Sequence, residues 1–209
     1  MKRDWTGSNH SVFANISASN HSDAERECND YYATPPYAVE ALLDRESFNS
    51  YICEPAVGGG SIADVLTSRG HKVQAFDIVD RGYPNTIVRD FMCVTKEDLI
   101  CTPDIITNPP YSIATEFIQH ALDISMDSVK IAMLLKIQFL ETVKRYELFK
   151  QHPPKYIYVF VNRVSCGKNG VFDSGSAVCY AWFVWKRGSK SEPIIRWIYN
   201  EVPNNKKLF

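Results

Sequence analysis

Tyr51-Ile52-Cys53-Glu54-Pro55-Ala56-Val57-Gly58-Gly59-Gly60-Ser61-Ile62-Ala63-Asp64-Val65-Leu66 is the stretch whose reading decides the fold. A short apolar run closed by an acid, a glycine-rich turn and a segment of helical periodicity read as strand, tight turn and helix. The helix is predicted over about residues 60–69 and stops at Gly70, since glycine takes the left-handed backbone that ends helices. Further along, strand-like runs at 72–76, 86–89 and 104–107 end in Asp77, Asp90 and Asn108. A helix over 112–124 follows, with Ile113, Phe117, Ala121 and Ile124 on one face. The continuous apolar run 129–135 has the pattern of a strand buried on both faces. A charged helix over 141–151 stops before Pro153-Pro154, and strand patterns at 156–161 and 177–185 flank the polar, glycine-containing stretch 163–176. Seven strands alternating with helices and closing on a strand pair predict an α/β fold. Its sheet is expected to be doubly wound and mostly parallel, with an antiparallel edge.

Composition narrows the class. The 209 residues, 45% hydrophobic and 12% aromatic, suffice for one domain with a substantial core. Residues 1–30 are rich in Ser, Asn and charge and read as a flexible polar tail, leaving 31–209 as the domain. With 23 basic against 24 acidic side chains the net charge is -1, so a polyanion has to be met by a local patch rather than a global field. No apolar run has membrane-spanning length and the start lacks an apolar signal region, so a cytoplasmic, non-membrane protein is expected. The six cysteines (Cys28, Cys53, Cys93, Cys101, Cys166, Cys179) show no CxxC pair; buried or free thiols and no metal site are the expectation, with Cys53 and Cys179 inside apolar strands.

In open α/β sheets ligands bind outside the carboxyl ends of the strands, where this chain places Glu54, Asp77, Asp90 and Asn108. Gly58-Gly59-Gly60-Ser61-Ile62-Ala63 satisfies the loose dinucleotide pattern, which suits NAD, another adenosine-bearing cofactor or a mere tight turn. Glu54 tilts the choice, because a carboxylate there repels a pyrophosphate and suits a cationic ligand. Asp90-Phe91 offers an acceptor for an exocyclic amine and a ring for a purine. S-adenosylmethionine, with adenosine at one end and positive charge at the other, fits this description. Asn108-Pro109-Pro110-Tyr111 is the most specific feature: prolines stiffen the turn and remove donors, so the amide oxygen and carbonyls can face a planar NH2 group. Tyr111 adds an aromatic face for a flat base, the alternative being a proline-rich helix start with Tyr111 as a core anchor.

Glu54-Pro55-Ala56-x-Gly58-x-Gly60, Asp77, Asp90-Phe91 and Asn108-Pro109-Pro110-Tyr111, in this order, resemble the N6-adenine DNA methyltransferases. Upstream, Asp30-Tyr31-Tyr32-Ala33-Thr34-Pro35-Pro36 is similar to their motif at the methionine end of the cofactor, in the gamma-type order. Residues 144–149 and 181–185 look like those of small phage and prophage enzymes, and the resemblance spans about Asp30 to Trp185. It implies a Rossmann-like methyltransferase fold that binds S-adenosylmethionine and DNA. Gly58 and Gly60 would shape the turn around the cofactor, with Glu54, Pro55 and Ala56 near its amino-acid end. Tyr32 and Thr34 would hold the methionine moiety, Asp77 with Ile78 the ribose side, and Asp90 with Phe91 the adenine. Asn108 and the Pro109 carbonyl would accept from the target amine, with Pro110 stiffening the turn and Tyr111 on the extruded base. The chain departs from the family in having no large target-recognition domain after Tyr111.

Such a reaction is a direct displacement. An amine conjugated with a purine is a poor nucleophile, and accepting both its N–H bonds favours the pyramidal geometry of attack. The sequence has no Pro-Cys pair to supply a thiolate nucleophile. The base must be flipped out of its duplex. Phosphate contacts are expected from the C-terminal half, where residues 144–190 hold nine basic against two acidic side chains; Lys144, Arg145, Arg163 and Lys168 are the candidates. The loop with Gly167, Gly170 and Gly175 is the candidate for reaching a groove. RNA adenine methylation, methylation of a protein glutamine as in release-factor enzymes, and a cofactor-binding regulator without transferase activity remain the alternatives, and monomer and dimer both stay open.

Overall fold

The computed structural model describes residues 32–168 and 178–199. The expectations for the tail 1–30, and for Gly170 and Gly175, therefore lie outside the described residues. Along the chain run β1 (Tyr32–Ala33), α1 (Pro36–Leu43), β2 (Tyr51–Glu54), α2 (Ser61–Ser68), β3 (Lys72–Asp77), β4 (Ile87–Val88) and β5 (Asp104–Thr107). There follow α3 (Ala114–Ile124), β6 (Lys130–Lys136), α4 (Val143–Gln151), β7 (Tyr156–Phe160), β8 (Gly167–Lys168), β9 (Tyr180–Lys186) and β10 (Ile194–Ile198).

The main sheet has the order β10-β7-β9-β6-β5-β2-β3-β4. Its pairs are parallel except those of β9, which runs antiparallel to both β6 and β7. The expected seven strands are β2 to β7 and β9, and β10 adds an eighth alongside β7. The antiparallel strand lies toward the expected side of the sheet, inserted between β6 and β7. A separate two-stranded ladder joins β1 to β8, pairing Tyr32 with Lys168 and Ala33 with Gly167.

The double winding follows from the apolar pattern of the strands. Successive side chains of a strand point to opposite faces, so Ile131, Met133 and Leu135 of β6 enter one core while Ala132 and Leu134 enter the other. The first core takes Phe117, Ile118, Ala121 and Leu122 from α3 and Leu148 from α4. The second takes Ala38, Val39 and Leu42 from α1 and Ile62, Val65 and Leu66 from α2. A polar substitution at 131–135 of β6 thus has no face on which to escape burial. Cys53 is fully buried in β2 as expected, but Cys179 is exposed, because it precedes β9 rather than lying inside it. Among the described residues no helix is long and apolar enough to cross a membrane.

From β2 the chain moves outward through β3 and β4, then returns to β5 on the other side of β2 and continues to β6. The order therefore reverses at β2 and β5, and this is where a crevice opens at the carboxyl ends of a parallel sheet.

Candidate functional site

A cleft of about 730 Å³, open to solvent, lies at this reversal. Of the residues singled out from sequence, Tyr32, Thr34, Glu54, Pro55, Ala56, Asp77, Ile78, Asp90, Phe91, Asn108 and Pro110 line it. One wall comes from β1, another from the ends of β2, β3 and β5, and a third from the turn at Asp90.

Gly58 and Gly60 do not line the cleft, and they act behind it. Gly58, at φ 56°, turns its amide to Asp77 Oδ2 at 2.8 Å. Gly60, at φ 90°, faces the ring of Tyr83, where a Cβ would meet Cδ2 at 2.0 Å. The glycine run thus satisfies local geometry and lets α2 begin directly under the cleft floor. The second oxygen of Asp77 accepts from the Val79 amide at 2.9 Å. Asp77, only 7% exposed, is therefore held rigidly by two backbone donors, and each oxygen keeps lone-pair capacity for a further donor such as a hydroxyl.

Glu54 is 1% exposed, and its Oε2 has no hydrogen-bond partner among the described residues. Burial, and next the charge of Asp77, push its pKa well above the usual carboxylate range, while a hydrogen bond from the Ala63 backbone pulls the other way. A buried acid with an orphaned oxygen suits a cationic ligand, because the ligand's charge would return the group to its ionised form. The sign follows. A cation beside Glu54 lowers its pKa, so binding releases a proton, and affinity rises with pH until the pH passes the raised pKa of the free protein. Titrating S-adenosylmethionine by calorimetry in buffers of different ionisation enthalpy should show proton release that disappears in Glu54→Gln. The variant should bind about 10–100-fold more weakly, the worth of a charged hydrogen bond.

Asn108 closes β5. Its Nδ2 donates to the Tyr32 carbonyl at 2.8 Å, which fixes which end of the amide is which, since a carbonyl can accept only from the NH2 group. Its Oδ1 is buried and without a partner among the described residues. Thr34 Oγ1, in the same cleft, is also buried and unpartnered. The next residues divide: Pro110 lines the cleft, whereas Pro109 is buried and Tyr111 sits behind it. The Pro110 carbonyl accepts from Ile113, opening the short turn of 3-10 helix Tyr111–Ile113. The Tyr111 ring is half-buried between Tyr32 and Tyr180, each with its centroid at 6.0 Å and tilted by 34°. Its hydroxyl is buried, and desolvation pushes its pKa well up. Tyr111 is thus held by its ring contacts, more firmly than a freely exposed ring.

Asp90 is exposed, and one oxygen caps the turn Phe91–Cys93 through the Met92 amide at 2.9 Å. Phe91 is 2% exposed and packs on Phe117 and His120, so it offers the cleft an edge of the core rather than a free ring.

Residues that were not among the expected site residues also line the cleft, among them Ser61, Ile62, Arg81, Ile113 and Phe117. Ser61 and Ile62 could have been found from their place in the first turn after the glycines. Arg81 lies in an irregular connection after β3 and carries no pattern that would announce it.

The basic residues of the C-terminal half do not form one face. Lys155, Lys186, Arg187 and Lys190 lie at the amino end of β6 and β7, away from the cleft, since β9 runs antiparallel and Lys186 pairs with Lys130. Lys150 lies toward the same end, in the last turn of α4. Lys144, Arg145, Arg163 and Lys168 follow the carboxyl ends of β6 and β7, on the cleft side. Lys144 pairs with Glu116 at 2.5 Å. Arg145 donates to the Gln138 carbonyl at 3.1 Å and covers the Phe139 ring at 4.4 Å. Arg163 is exposed, and the backbone of Lys168 is in β8.

No family model matches the sequence, and the search of curated proteins finds no match. Solved structures do match. The methyltransferase subunit of a type I restriction-modification system from Streptococcus thermophilus aligns with TM-score 0.57 and 12% identity over 80% of this chain and 47% of that one. A predicted O-methyltransferase from Agrobacterium tumefaciens aligns with TM-score 0.56 and 14% identity over 79% of this chain and 86% of that one. The type IIG restriction endonuclease BpuSI aligns with TM-score 0.56 and 15% identity over 80% of this chain and 27% of its own. This chain therefore spans less than half of either restriction-system protein. Other matches carry a hemolysin description. At these identities the likeness speaks to fold, and the fold is the Rossmann-like one of methyltransferases.

Proposed function

We propose that the protein transfers the methyl group of S-adenosylmethionine to the N6 amine of an adenine extruded from DNA. The observation that carries this reading is the Asn108 amide, its nitrogen tethered to Tyr32 and its buried oxygen left as a free acceptor in the cleft. A buried acceptor without a partner costs about 1–3 kcal/mol, a cost recovered when a ligand donates to it. Across the sheet the same rim carries Glu54 and Asp77, which suit a cationic amino acid and a ribose.

The cofactor supplies an electrophilic methyl group on a sulfonium. Glu54 and Thr34 orient its amino-acid end, Asp77 its ribose and Asp90 its adenine. Asn108 Oδ1 accepts one N–H of the target amine and the Pro109 carbonyl the other, drawing the nitrogen lone pair out of conjugation. Pro110 keeps the turn rigid. The amine's proton becomes acidic once the methyl is attached and passes to solvent, so the reading needs no dedicated base. DNA as acceptor is supported by the restriction-system neighbours and by the cations on the cleft side of the sheet. A phage- or prophage-encoded enzyme acting in the bacterial cytoplasm is the setting that fits.

Incubation with methyl-labelled S-adenosylmethionine and duplex DNA, RNA or total protein, run in parallel, tests this reading. Label should enter DNA. Label found only in protein, or only in RNA, would overturn it.

A further inference from the structure

Lys136 is the last residue of β6. Its backbone is held in the middle of the sheet by pairing with Tyr180. The side chain is exposed, and Nζ stands 5.0 Å from the centroid of the Tyr111 ring. Among the described residues Lys136 makes no ion pair. This distinguishes it from Lys144, which Glu116 neutralises.

The carboxyl ends of four adjacent strands, β6, β5, β2 and β3, present Lys136, then Asn108 just beyond its strand, then Glu54 and Asp77. Neighbouring strands lie about 4.8 Å apart. The rim therefore changes from cationic to acidic across the amide proposed to hold the target amine. A cationic ligand belongs on the acidic side, which leaves the acceptor to approach from the side of Lys136. A free ammonium there calls for an anion on the acceptor, close to the atom that reacts. A nucleotide carries such an anion in the phosphate beside its base, and a glutamine side chain carries none.

We infer that Lys136 binds a backbone phosphate next to the extruded nucleotide, so that this residue commits the cleft to a nucleic acid rather than a protein carboxamide. The inference rests on the function proposed above. The contact with the Tyr111 ring aids it by keeping the ammonium beside the target turn, an attraction that does not use up its hydrogen-bond donors.

The test measures KM for duplex DNA against salt concentration for the wild type, Lys136→Gln and Lys136→Arg, together with kcat and the Kd of S-adenosylmethionine. Lys136→Gln should raise KM on the order of tenfold and flatten the slope of log KM against log salt by about 0.9, the amount for one lost phosphate contact. Its kcat and cofactor Kd should stay within about twofold of wild type, the sign that only uniform substrate binding was removed. Lys136→Arg should restore the slope, which a merely structural role would not require. An unchanged slope in Lys136→Gln, or an equal loss of slope in both variants, would overturn the inference while leaving the proposed function intact. A wild type that methylates no nucleic acid would overturn both.

Discussion

Asn108→Ala is expected to lower the rate of methyl transfer by about 10²–10³, the loss found when one preorganised hydrogen-bonding group at a reacting centre is removed. S-adenosylmethionine should still bind. The two ends of the amide contribute differently. Oδ1 is the buried, unpartnered acceptor that the proposed reaction would use, and its loss would fall on the transition state, where the amine becomes pyramidal and its N–H bonds more acidic. Nδ2 holds the Tyr32 carbonyl, so losing it disturbs the wall formed by Tyr32 and Thr34 by the worth of one ordinary hydrogen bond. That is about 1 kcal/mol, or roughly fivefold in cofactor Kd. Asn108→Asp separates the two contributions. It keeps an acceptor at the Oδ1 position but sets a carboxylate oxygen against the Tyr32 carbonyl, so it should retain more transfer than Asn108→Ala while binding the cofactor less well. Single-turnover rates with equilibrium binding in parallel make the comparison; equal rates for Asn108→Ala and wild type would remove Asn108 from the chemistry.

Asp77→Ala is expected to damage both stability and cofactor binding. Its carboxylate accepts from Gly58 and Val79, so alanine leaves two amides without their acceptor in a nearly closed environment. At about 1–3 kcal/mol for each such group, stability should fall by roughly 2–6 kcal/mol in urea denaturation. Cofactor affinity should fall about 100-fold or more, because the ribose contact and the turn that presents it are lost together. Asp77→Asn keeps one good acceptor and should be intermediate in stability. It also removes the charge that raises the pKa of Glu54, so the proton released on cofactor binding should diminish in this variant. A stable Asp77→Asn protein that binds S-adenosylmethionine like wild type would exclude the ribose contact.

Much of the fold and the candidate site was legible because both depend on local patterns. The strand-turn-helix at Glu54 to Leu66, the buried run that became β6 and the polar residues ending the strands all follow from periodicity and from the turn-forming residues between them. What escaped depends on contacts between distant segments. The ladder of β1 and β8 joins Tyr32 to Lys168 with two paired positions and no apolar pattern of its own. The closing strand pair announces an antiparallel strand but not its insertion between β6 and β7, which carries Lys186 to the amino end of β6, beside Lys130. The close approach of the Tyr83 ring to Gly60, 23 positions apart, likewise has no local signal. Lys136 follows the run 129–135, whose pattern speaks only of a buried strand, and the role inferred for it depends on the neighbouring strand that carries Asn108.

Digestion of enzymatically methylated duplex DNA to nucleosides, with mass analysis of the labelled product, is the most direct test of the central claim. N6-methyldeoxyadenosine, formed in step with S-adenosylhomocysteine and lost with Asn108→Ala, is the predicted result. Label on a cytosine, or DNA without label while protein glutamine is methylated, would contradict it.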